Sequence, residues 1–320
     1  MNEDKLPERD AKVTVAVVGI CSPDHLARCL DGLQAQVDAP DFDVVVAHDP
    51  ELRGVEALAA RYPGVRLVAN AGQRTPLELA SRAIDHSTGD IVLLTEDHCV
   101  PQRNWVRTMV AAHAPGRAVI GGRVEIRDGA SAVDWAFYFV DFFRYADPVL
   151  DGPSPTLTVC NASYKKAQLE AVRHTWKTYF HETAINNALR ERFGDLWLTP
   201  QSEVIMGRHV TFADAIYERY AFGRLFGCTR IGFVSPAHRL TYVIFAPLLP
   251  LVLLTRMAKK AFPSSKLLLA FLRGLGPLVV MVLWWSWGEW LGYVTGKHPR
   301  TLTVAPEIRA AQREGARPTA

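Results

Sequence analysis

An acidic pair and a histidine directly follow a short apolar run near the middle of the first half of the chain. Residues 89–101 read GDIVLLTEDHCVP, and they place Glu96, Asp97 and His98 after that run. Carboxylate oxygens and a neutral imidazole nitrogen suit a hard divalent cation such as Mg²⁺ or Mn²⁺, and such a cation holds phosphate oxygens. The segment therefore favours a metal site at Glu96, Asp97 and His98, and a plain surface turn after a strand is the alternative.

The apolar run is one of several that predict the elements around this motif. Four consecutive apolar residues bounded by Gly-Asp are typical of a buried strand. The predicted strands are 13–19, 42–47, 65–69, the run from Ile91, and 118–126, and the predicted helices are 22–36, 51–61 and 76–86. Strands that alternate with short helices predict an α/β fold, with a Rossmann-like, mostly parallel sheet sandwiched by helices. Ligands bind at the carboxyl ends of strands in such sheets, where the acidic pair would lie.

The composition of the chain limits the partners and the cellular compartment that can be expected. A net charge of +3 over 320 residues gives no argument for nucleic acid as a partner. The five cysteines are scattered without a CxxC pair, which is typical of a reduced, cytosolic protein. The polar first residues, MNEDKLPERDAK, predict no secretory signal.

Two apolar segments near the C-terminus favour membrane association, with helices of a soluble core as the alternative. Residues 240–255 contain Pro247 and Pro250; at about 1.5 Å per residue they span about 24 Å, less than a bilayer core of about 30 Å. We therefore expect this first segment to be re-entrant or interfacial, with the basic linker after it on the cytosolic side. Residues 274–294 carry four tryptophans toward one end, as at a membrane interface. The aromatic residues of 131–147 predict core packing, or else a surface for lipid or an apolar acceptor.

Taken in order, the motifs of residues 11–235 resemble the family-2 glycosyltransferases of GT-A fold. The similar segments are VTVAVVG with its Ser-Pro turn, VVVAHDP, the Asn70-Ala71-Gly72 loop with its helix, GDIVLLTEDHCVP, VCNASY from Val159, FHET from Phe180, LWLTPQSEVI from Leu196, and RYAFGR from Arg219. In the fourth segment, Glu96 and His98 occupy the two aspartate positions of the family's Asp-x-Asp motif. The resemblance implies a nucleotide-diphospho-sugar donor and a divalent metal cofactor.

The resemblance also implies roles for individual residues. It implies donor contacts by Asp49, Arg74, Arg82, Glu96, Asp97 and Arg224, a metal held by Glu96, Asp97 and His98, a general base at Glu182, and acceptor-side positions at Asn161 and His181. Alternatives from the residues themselves stay open. Glu182 could be a carboxylate favoured by a helix N-terminus, and Asn161 could orient backbone rather than substrate.

The resulting expectation is an inverting glycosyltransferase on the cytosolic face of the membrane, with a lipid-linked or glycan acceptor. Its expected parts are a polar tail (1–10), a catalytic domain (11–235), a membrane-associated segment (236–296) and a basic tail (297–320). A non-catalytic scaffold subunit of a glycan-assembly complex is the alternative. A nicotinamide dehydrogenase is excluded because the first loop, GICSPDH, lacks G-x-G-x-x-G. A polymerising synthase is disfavoured because Gln-x-x-Arg-Trp is absent.

Overall fold

The computed structural model describes residues 12–69, 75–113 and 116–299. These residues form two compact units. The α/β unit contains residues 12–125 and 149–206, and the helical unit contains residues 126–148 and 207–299. Each unit consists of two separate segments of the chain. The predicted domain boundary at residue 235 stays a prediction.

The described residues contain nine strands and twelve helices. The strands are β1 Val13–Gly19, β2 Phe42–His48, β3 Val65–Ala69, β4 Ile91–Glu96, β5 Cys99–Pro101, β6 Val119–Ile126, β7 Gly152–Ser154, β8 Ala162–Lys165 and β9 Leu196–Met206. The helices of the α/β unit are α1 Pro23–Gln34, α2 Val55–Arg61, α3 Pro76–Asp85, α4 Trp105–Ala112, α6 Lys166–Ala171, α7 Arg173–Trp176 and α8 Glu182–Phe193. Those of the helical unit are α5 Ala132–Phe142, α9 Phe212–Arg230, α10 Pro236–Phe245, α11 Leu249–Ala261 and α12 Ser265–Thr295.

The strands form one mixed sheet in the order β3-β2-β1-β4-β8-β6-β9-β5, with β7 also on β9. The first four strands are parallel, as expected from their alternation with helices. The β4–β8, β8–β6, β9–β5 and β9–β7 pairs are antiparallel. The Rossmann-like α/β class is thus confirmed, and its parallel part is confined to the half of the sheet in which helical crossovers join the strands.

Register aligns the carboxyl ends of the three central parallel strands. Gly19 of β1 lies beside His48 of β2, and Val18 lies beside Glu96 of β4. Every residue of β1 and β4 is buried, so the apolar runs that predicted them fill the core. The residues that follow these strands therefore meet at one edge of the sheet.

Side-chain caps mark the starts of six of the twelve helices, namely α1, α3, α5, α9, α10 and α12. Ser22 caps α1 by accepting the N–H of His25, and Pro23 takes the first helical position, as predicted. The helix predicted from residue 51 begins only at Val55. The reason is a turn: Asp49 accepts the N–H of Glu51 on its side chain, and Gly54 then adopts φ 89°.

Two helices of the helical unit, α9 and α12, approach each other through glycines. Gly223 and Gly227 on α9 face Gly288 and Gly292 on α12, and a Cβ at any of the four would lie under 3.0 Å from the opposite backbone. The four-residue spacing on both helices is the small-residue pattern that permits close backbone approach in membrane proteins.

The aromatic segment around α5 belongs to the core of the same unit. All of its predicted aromatic residues except Trp135 are buried, and Phe139 meets Phe271 of α12 edge to face with 5.6 Å between ring centroids. This supports the interpretation that the aromatic residues of 131–147 pack in a core.

Two helical stretches in the described part of the chain are long and apolar enough to cross a bilayer, Pro236–Ala261 and Ser265–Thr295. The first extends beyond the apolar run 240–255 at both ends, so its 26 residues reach about 39 Å. The expectation that this segment is too short to span was therefore wrong. Pro247 and Pro250 do not end it, because they fall in a 3₁₀ turn, Ala246–Leu248, and in the first turn of α11, where no N–H is required of them.

Candidate active site

The Glu96-Asp97-His98 motif forms the link between β4 and β5 at the carboxyl edge of the sheet. Its residues are buried, with exposures of 9% for Glu96, 0% for Asp97 and 7% for His98. Asp97 Oδ2 accepts the backbone N–H groups of Ile20 at 2.9 Å and Cys21 at 2.7 Å. One carboxylate oxygen of the motif therefore fixes the loop after β1.

The remaining donor atoms of the motif point toward one another. His98 Nδ1 lies 3.5 Å from Glu96 Oε2 and 3.8 Å from Asp97 Oδ1. Among the described residues, Asp97 Oδ1 and His98 Nδ1 are buried and make no hydrogen bond. Two carboxylate oxygens and an imidazole nitrogen at such separations fit the ligand set of a hard divalent cation.

His98 and its neighbour Cys99 form a buried acid–base pair. Burial opposes the charged form of His98, but the Cys99 charge and the nearby Asp97 carboxylate outweigh it and raise the pKa of His98. Burial likewise opposes ionisation of Cys99, yet hydrogen bonding with Cys160 and the charge of His98 lower the pKa of Cys99 to about 6. Each of the two side chains thus shifts the pKa of the other.

Glu182 lies beside the same edge through a short chain of contacts. It is the first residue of α8, and its Oε2 accepts the backbone N–H of Val159 at 3.2 Å. The next residue, Cys160, accepts at its carbonyl the hydroxyl hydrogen of Thr95, at 2.9 Å. Since Thr95 directly precedes Glu96 on β4, the predicted base and the predicted metal motif lie on neighbouring segments.

Two hydrogen bonds join α3 to the segment that precedes Glu182. The N–H of Phe180 donates to the carbonyl of Leu77 at 3.0 Å, and the hydroxyl of Ser81 donates to the carbonyl of Lys177 at 2.8 Å. Thr75 and Glu78 form a capping box that fixes the start of α3. His181 is buried between these contacts and the start of α8.

The side-chain amide of Asn161 makes hydrogen bonds within the α/β unit. It has no exposed surface, its Nδ2 donates to the carbonyl of Arg123 at 2.7 Å, and its Oδ1 accepts the indole N–H of Trp105 at 2.7 Å. A second Nδ2 contact reaches the carbonyl of Ser202 at 3.3 Å. This bonding supports the interpretation that Asn161 orients backbone.

The predicted donor residues are spread over three places. Asp49 is buried just after β2, at the same sheet edge as the metal motif. Arg82 is half-buried on α3, and its Nε makes no hydrogen bond among the described residues. Arg74 and the Asn70-Ala71-Gly72 loop lie outside the described residues. Arg224 lies on α9 in the helical unit, where it donates to the Lys297 carbonyl at 3.1 Å and to the Tyr220 hydroxyl.

Four of the five cysteines gather around His98, which the sequence did not suggest. The thiols of Cys99 and Cys160 and a ring nitrogen of His98 lie within 4.8 Å of one another, and a second such set is Cys21, Asp97 and His98. Cys29 on α1 is also near: burial and the charges of Asp97 and Cys99 raise its pKa, and the charge of His98 opposes this rise. The available signal was positional, because Cys21 and Cys99 follow strands that pair and Cys160 precedes the strand beside them.

Comparison with known proteins gives a family match for part of the chain. Residues 21–173 match the profile of glycosyl transferase family 2. No curated protein sequence matches the chain.

Several solved structures are similar to the chain. The mannosyltransferase PcManGT from Pyrobaculum calidifontis, solved with GDP-Man and Mn²⁺, has 16% identity and a TM-score of 0.52, over 92% of this chain and 88% of that one. S. aureus TarS residues 1–349 give 14% identity and a TM-score of 0.47, over 90% and 93% of the two chains. GalNAc-T7, solved with UDP, GalNAc and Mn²⁺, gives 13% and 0.48, over 62% and 44%.

At 16% identity, the likeness to PcManGT concerns the fold, and the family profile spans β4, the acidic motif and the Asn161 segment. Residues 21–173 therefore match a glycosyl transferase family 2 domain, and the α/β unit has the GT-A fold.

Proposed function

We propose that the chain is an inverting glycosyltransferase that moves a sugar from a nucleotide-diphospho-sugar to a hydroxyl acceptor. The observation that supports this most is the pairing of Glu182 with the segment beside β4, through Val159 and the Thr95–Cys160 hydrogen bond. Transfer needs one group for the departing diphosphate and another for the acceptor proton, and the acidic motif and Glu182 would supply the two. The ligands of PcManGT, GDP-Man and Mn²⁺, agree with this donor class.

Glu96, Asp97 and His98 would hold a divalent ion, Mg²⁺ or Mn²⁺. When bound, such an ion acts as a Lewis acid and offsets negative charge on the leaving diphosphate. Asp97 contributes even without the ion, because its second carboxylate oxygen keeps the loop after β1 in place. The motif would thus couple donor binding to the first loop of the sheet.

Glu182 would accept the proton of the acceptor hydroxyl as general base. A base must be ionised beforehand, and two features favour the carboxylate form: the positive end of the α8 dipole and the N–H of Val159. Attack by the activated hydroxyl on the face opposite the diphosphate inverts the anomeric centre. His181, directly before Glu182, and Asn161 stay predictions as acceptor-side residues.

The remaining donor contacts follow from the position of each side chain. Asp49 would contact the nucleoside, because it lies at the carboxyl end of β2 beside the loop after β1. Arg74 and Arg82 would supply phosphate contacts, and Arg224 would approach the diphosphate. For Arg224 this requires exchange of its bond to the Lys297 carbonyl.

We further propose that the helical unit anchors the enzyme in the cytoplasmic membrane, with the catalytic unit in the cytosol and a lipid-linked or glycan acceptor. Large apolar side chains on α10 and α11 are exposed, among them Leu240, Ile244, Phe245, Leu251 and Val252. Exposed apolar residues at this density favour lipid as the surrounding medium.

The transfer assay uses the full chain purified in detergent, with a panel of nucleotide sugars and Mn²⁺. We expect sugar transfer or donor hydrolysis with one donor class, and product of inverted configuration by NMR. Donor binding without turnover, for every donor and acceptor tested, would instead indicate the non-catalytic scaffold. A product of retained configuration would contradict the direct displacement.

A labelling experiment tests the membrane arrangement. Phe262, in the turn between α11 and α12, is highly exposed, whereas all five native cysteines are buried. Phe262→Cys therefore gives a single reactive thiol. With the linker on the cytosolic side, a membrane-impermeant maleimide labels this thiol only after the cells are opened. Labelling in intact cells would show that the linker is outside and that the first segment spans the bilayer.

A further inference from the structure

Cys99, Cys160 and His98 bring a thiol-rich ligand set together inside the α/β unit. Their ligand atoms lie within 4.8 Å of one another. They come from three places in the chain: the start of β5, the 3₁₀ turn Val159–Asn161, and the β4–β5 link. The thiols are as buried as the imidazole, with exposures of 0% for Cys99 and 4% for Cys160.

Core packing alone explains the thiols but not the imidazole. A buried thiol behaves as a small apolar group and needs no polar partner. A buried imidazole does need polar partners, and a ring nitrogen of His98 lies within 4.8 Å of both thiols. One ligand bound there would satisfy the nitrogen and the thiols together.

We propose that Cys99, Cys160 and His98 bind a thiophilic divalent cation of the Zn²⁺ class. Thiolate and imidazole ligands select Zn²⁺, whereas carboxylate oxygens select Mg²⁺ and Mn²⁺. Tetrahedral Zn²⁺, with bonds of about 2.3 Å to sulfur and about 2.0 Å to nitrogen, separates its ligand atoms by about 3.5–3.8 Å. Ligand atoms already within 4.8 Å reach those separations through small side-chain rotations.

Cys21 would be the fourth ligand. It forms the overlapping set with Asp97 and His98, and its backbone N–H is already fixed by Asp97. Binding would displace protons from the ligand side chains, so it would strengthen as pH rises.

Occupation of this site would affect the acidic motif, because His98 belongs to both ligand sets. An ion held by the thiols would draw His98 away from Glu96, 3.5 Å distant. Zn²⁺ would then inhibit Mn²⁺-dependent transfer, a consequence that rests on the proposed function. The binding itself does not rest on it.

Cobalt spectroscopy tests the binding directly. The full chain is reduced, stripped of metal in detergent and titrated with Co²⁺, whose thiolate complexes absorb in the near ultraviolet by sulfur-to-metal charge transfer. We expect this band to saturate at one equivalent, to bleach when Zn²⁺ is added, and to survive excess Mg²⁺. Cys99→Ser and Cys160→Ser should each weaken the band. Cys228→Ser is the matched control, because Cys228 is a buried cysteine on α9 in the helical unit, and it should leave the band intact.

The proposal is overturned if the wild-type protein gives no thiolate band, or if Cys99→Ser and Cys160→Ser bind Co²⁺ like the wild type. If the serine variants fold poorly, the wild-type spectrum still shows whether thiolates bind Co²⁺. Glu182→Gln separates this result from the fate of the proposed function, because it removes the predicted base and should keep the cobalt band.

Discussion

The carboxylate of Glu182 accepts a hydrogen bond from the backbone N–H of Val159, at 3.2 Å. The two residues are 23 positions apart, and the bond attaches the start of α8 to the turn before β8. Because Cys160 in that turn also bonds to Thr95, Glu182 and the acidic motif are linked by two hydrogen bonds. The roles proposed for both depend on this link.

The hydrogen bonds of Asp97 to the loop after β1 predict a stability effect that needs no substrate. Asp97→Asn removes the charge that strengthens the bonds from Ile20 and Cys21, and it should cost about 1–3 kcal/mol. Asp38→Asn is the control, because Asp38 is exposed and its ion pair with Arg107 contributes about 0–1 kcal/mol. Thermal unfolding in EDTA compares the two variants, and equal melting temperatures would argue against a structural role for Asp97.

His98→Ala should weaken metal-dependent donor binding by about tenfold or more, since a motif ligand is lost. The measurement is the thermal stabilisation given by nucleoside diphosphates with Mn²⁺, and the preferred diphosphate also names the donor class. His174→Ala, at an exposed position on α7, should respond like the wild type. An unchanged Mn²⁺ response in His98→Ala would remove the motif as the ion site.

His113 predicts a pH-dependent stability. Burial lowers the pKa of His113 to about 4, and the ring is held as a neutral tautomer between the Arg117 carbonyl and the Ser163 hydroxyl. Between pH 6.5 and 4 the unfolded chain binds this proton and the folded chain does not, so stability rises with pH across that window. Acidification from pH 6.5 to 4 should therefore cost about 3 kcal/mol through this residue.

The variant His113→Gln isolates that contribution. It should be less stable than the wild type at pH 7.5 because two hydrogen bonds are altered, but its melting temperature should fall less steeply between pH 6.5 and 4. Parallel pH profiles for the two proteins would rule out His113 as the source.

The glycine contacts between α9 and α12 predict a large effect from one methyl group. A Cβ at Gly292 would lie 2.5 Å from the Arg224 carbonyl oxygen and 2.7 Å from the Cys228 nitrogen. Gly292→Ala should therefore destabilise the helical unit by about 1–3 kcal/mol. Gly276 lies on the same helix with nothing within 4 Å of its Cβ position. Gly276→Ala should cost less than Gly292→Ala, because only the adjacent Pro277 restricts residue 276, and detergent melting curves compare the two.

Features with a local cause were predictable from the sequence, and features set by distant pairing were not. The buried run Val13–Gly19 and the Ser22-Pro23 cap carry their own signals and were predicted correctly. The family resemblance at residues 89–101 is likewise contained in one segment, and the matched range of the family profile includes it.

The antiparallel half of the sheet has no comparable local signal, because β8 pairs with β4 across more than 60 residues. The cysteine cluster needs that same pairing, since only the pairing of β8 with β4 brings Cys160 to Cys99. The length of the first apolar helix was underestimated because polar residues at its ends, such as Arg239 and Lys259, continue the helix beyond the apolar run.

The central claim is that Glu182 removes the acceptor proton, and the measurement that tests it most directly is the transfer rate of Glu182→Gln under saturating donor and Mn²⁺. General-base removal predicts a fall of about 10²–10⁴-fold, with donor binding preserved because the amide oxygen still accepts the Val159 N–H. Glu191→Gln, an exposed position on the same helix, should transfer at the wild-type rate. Turnover by Glu182→Gln close to that of Glu191→Gln would contradict the base assignment.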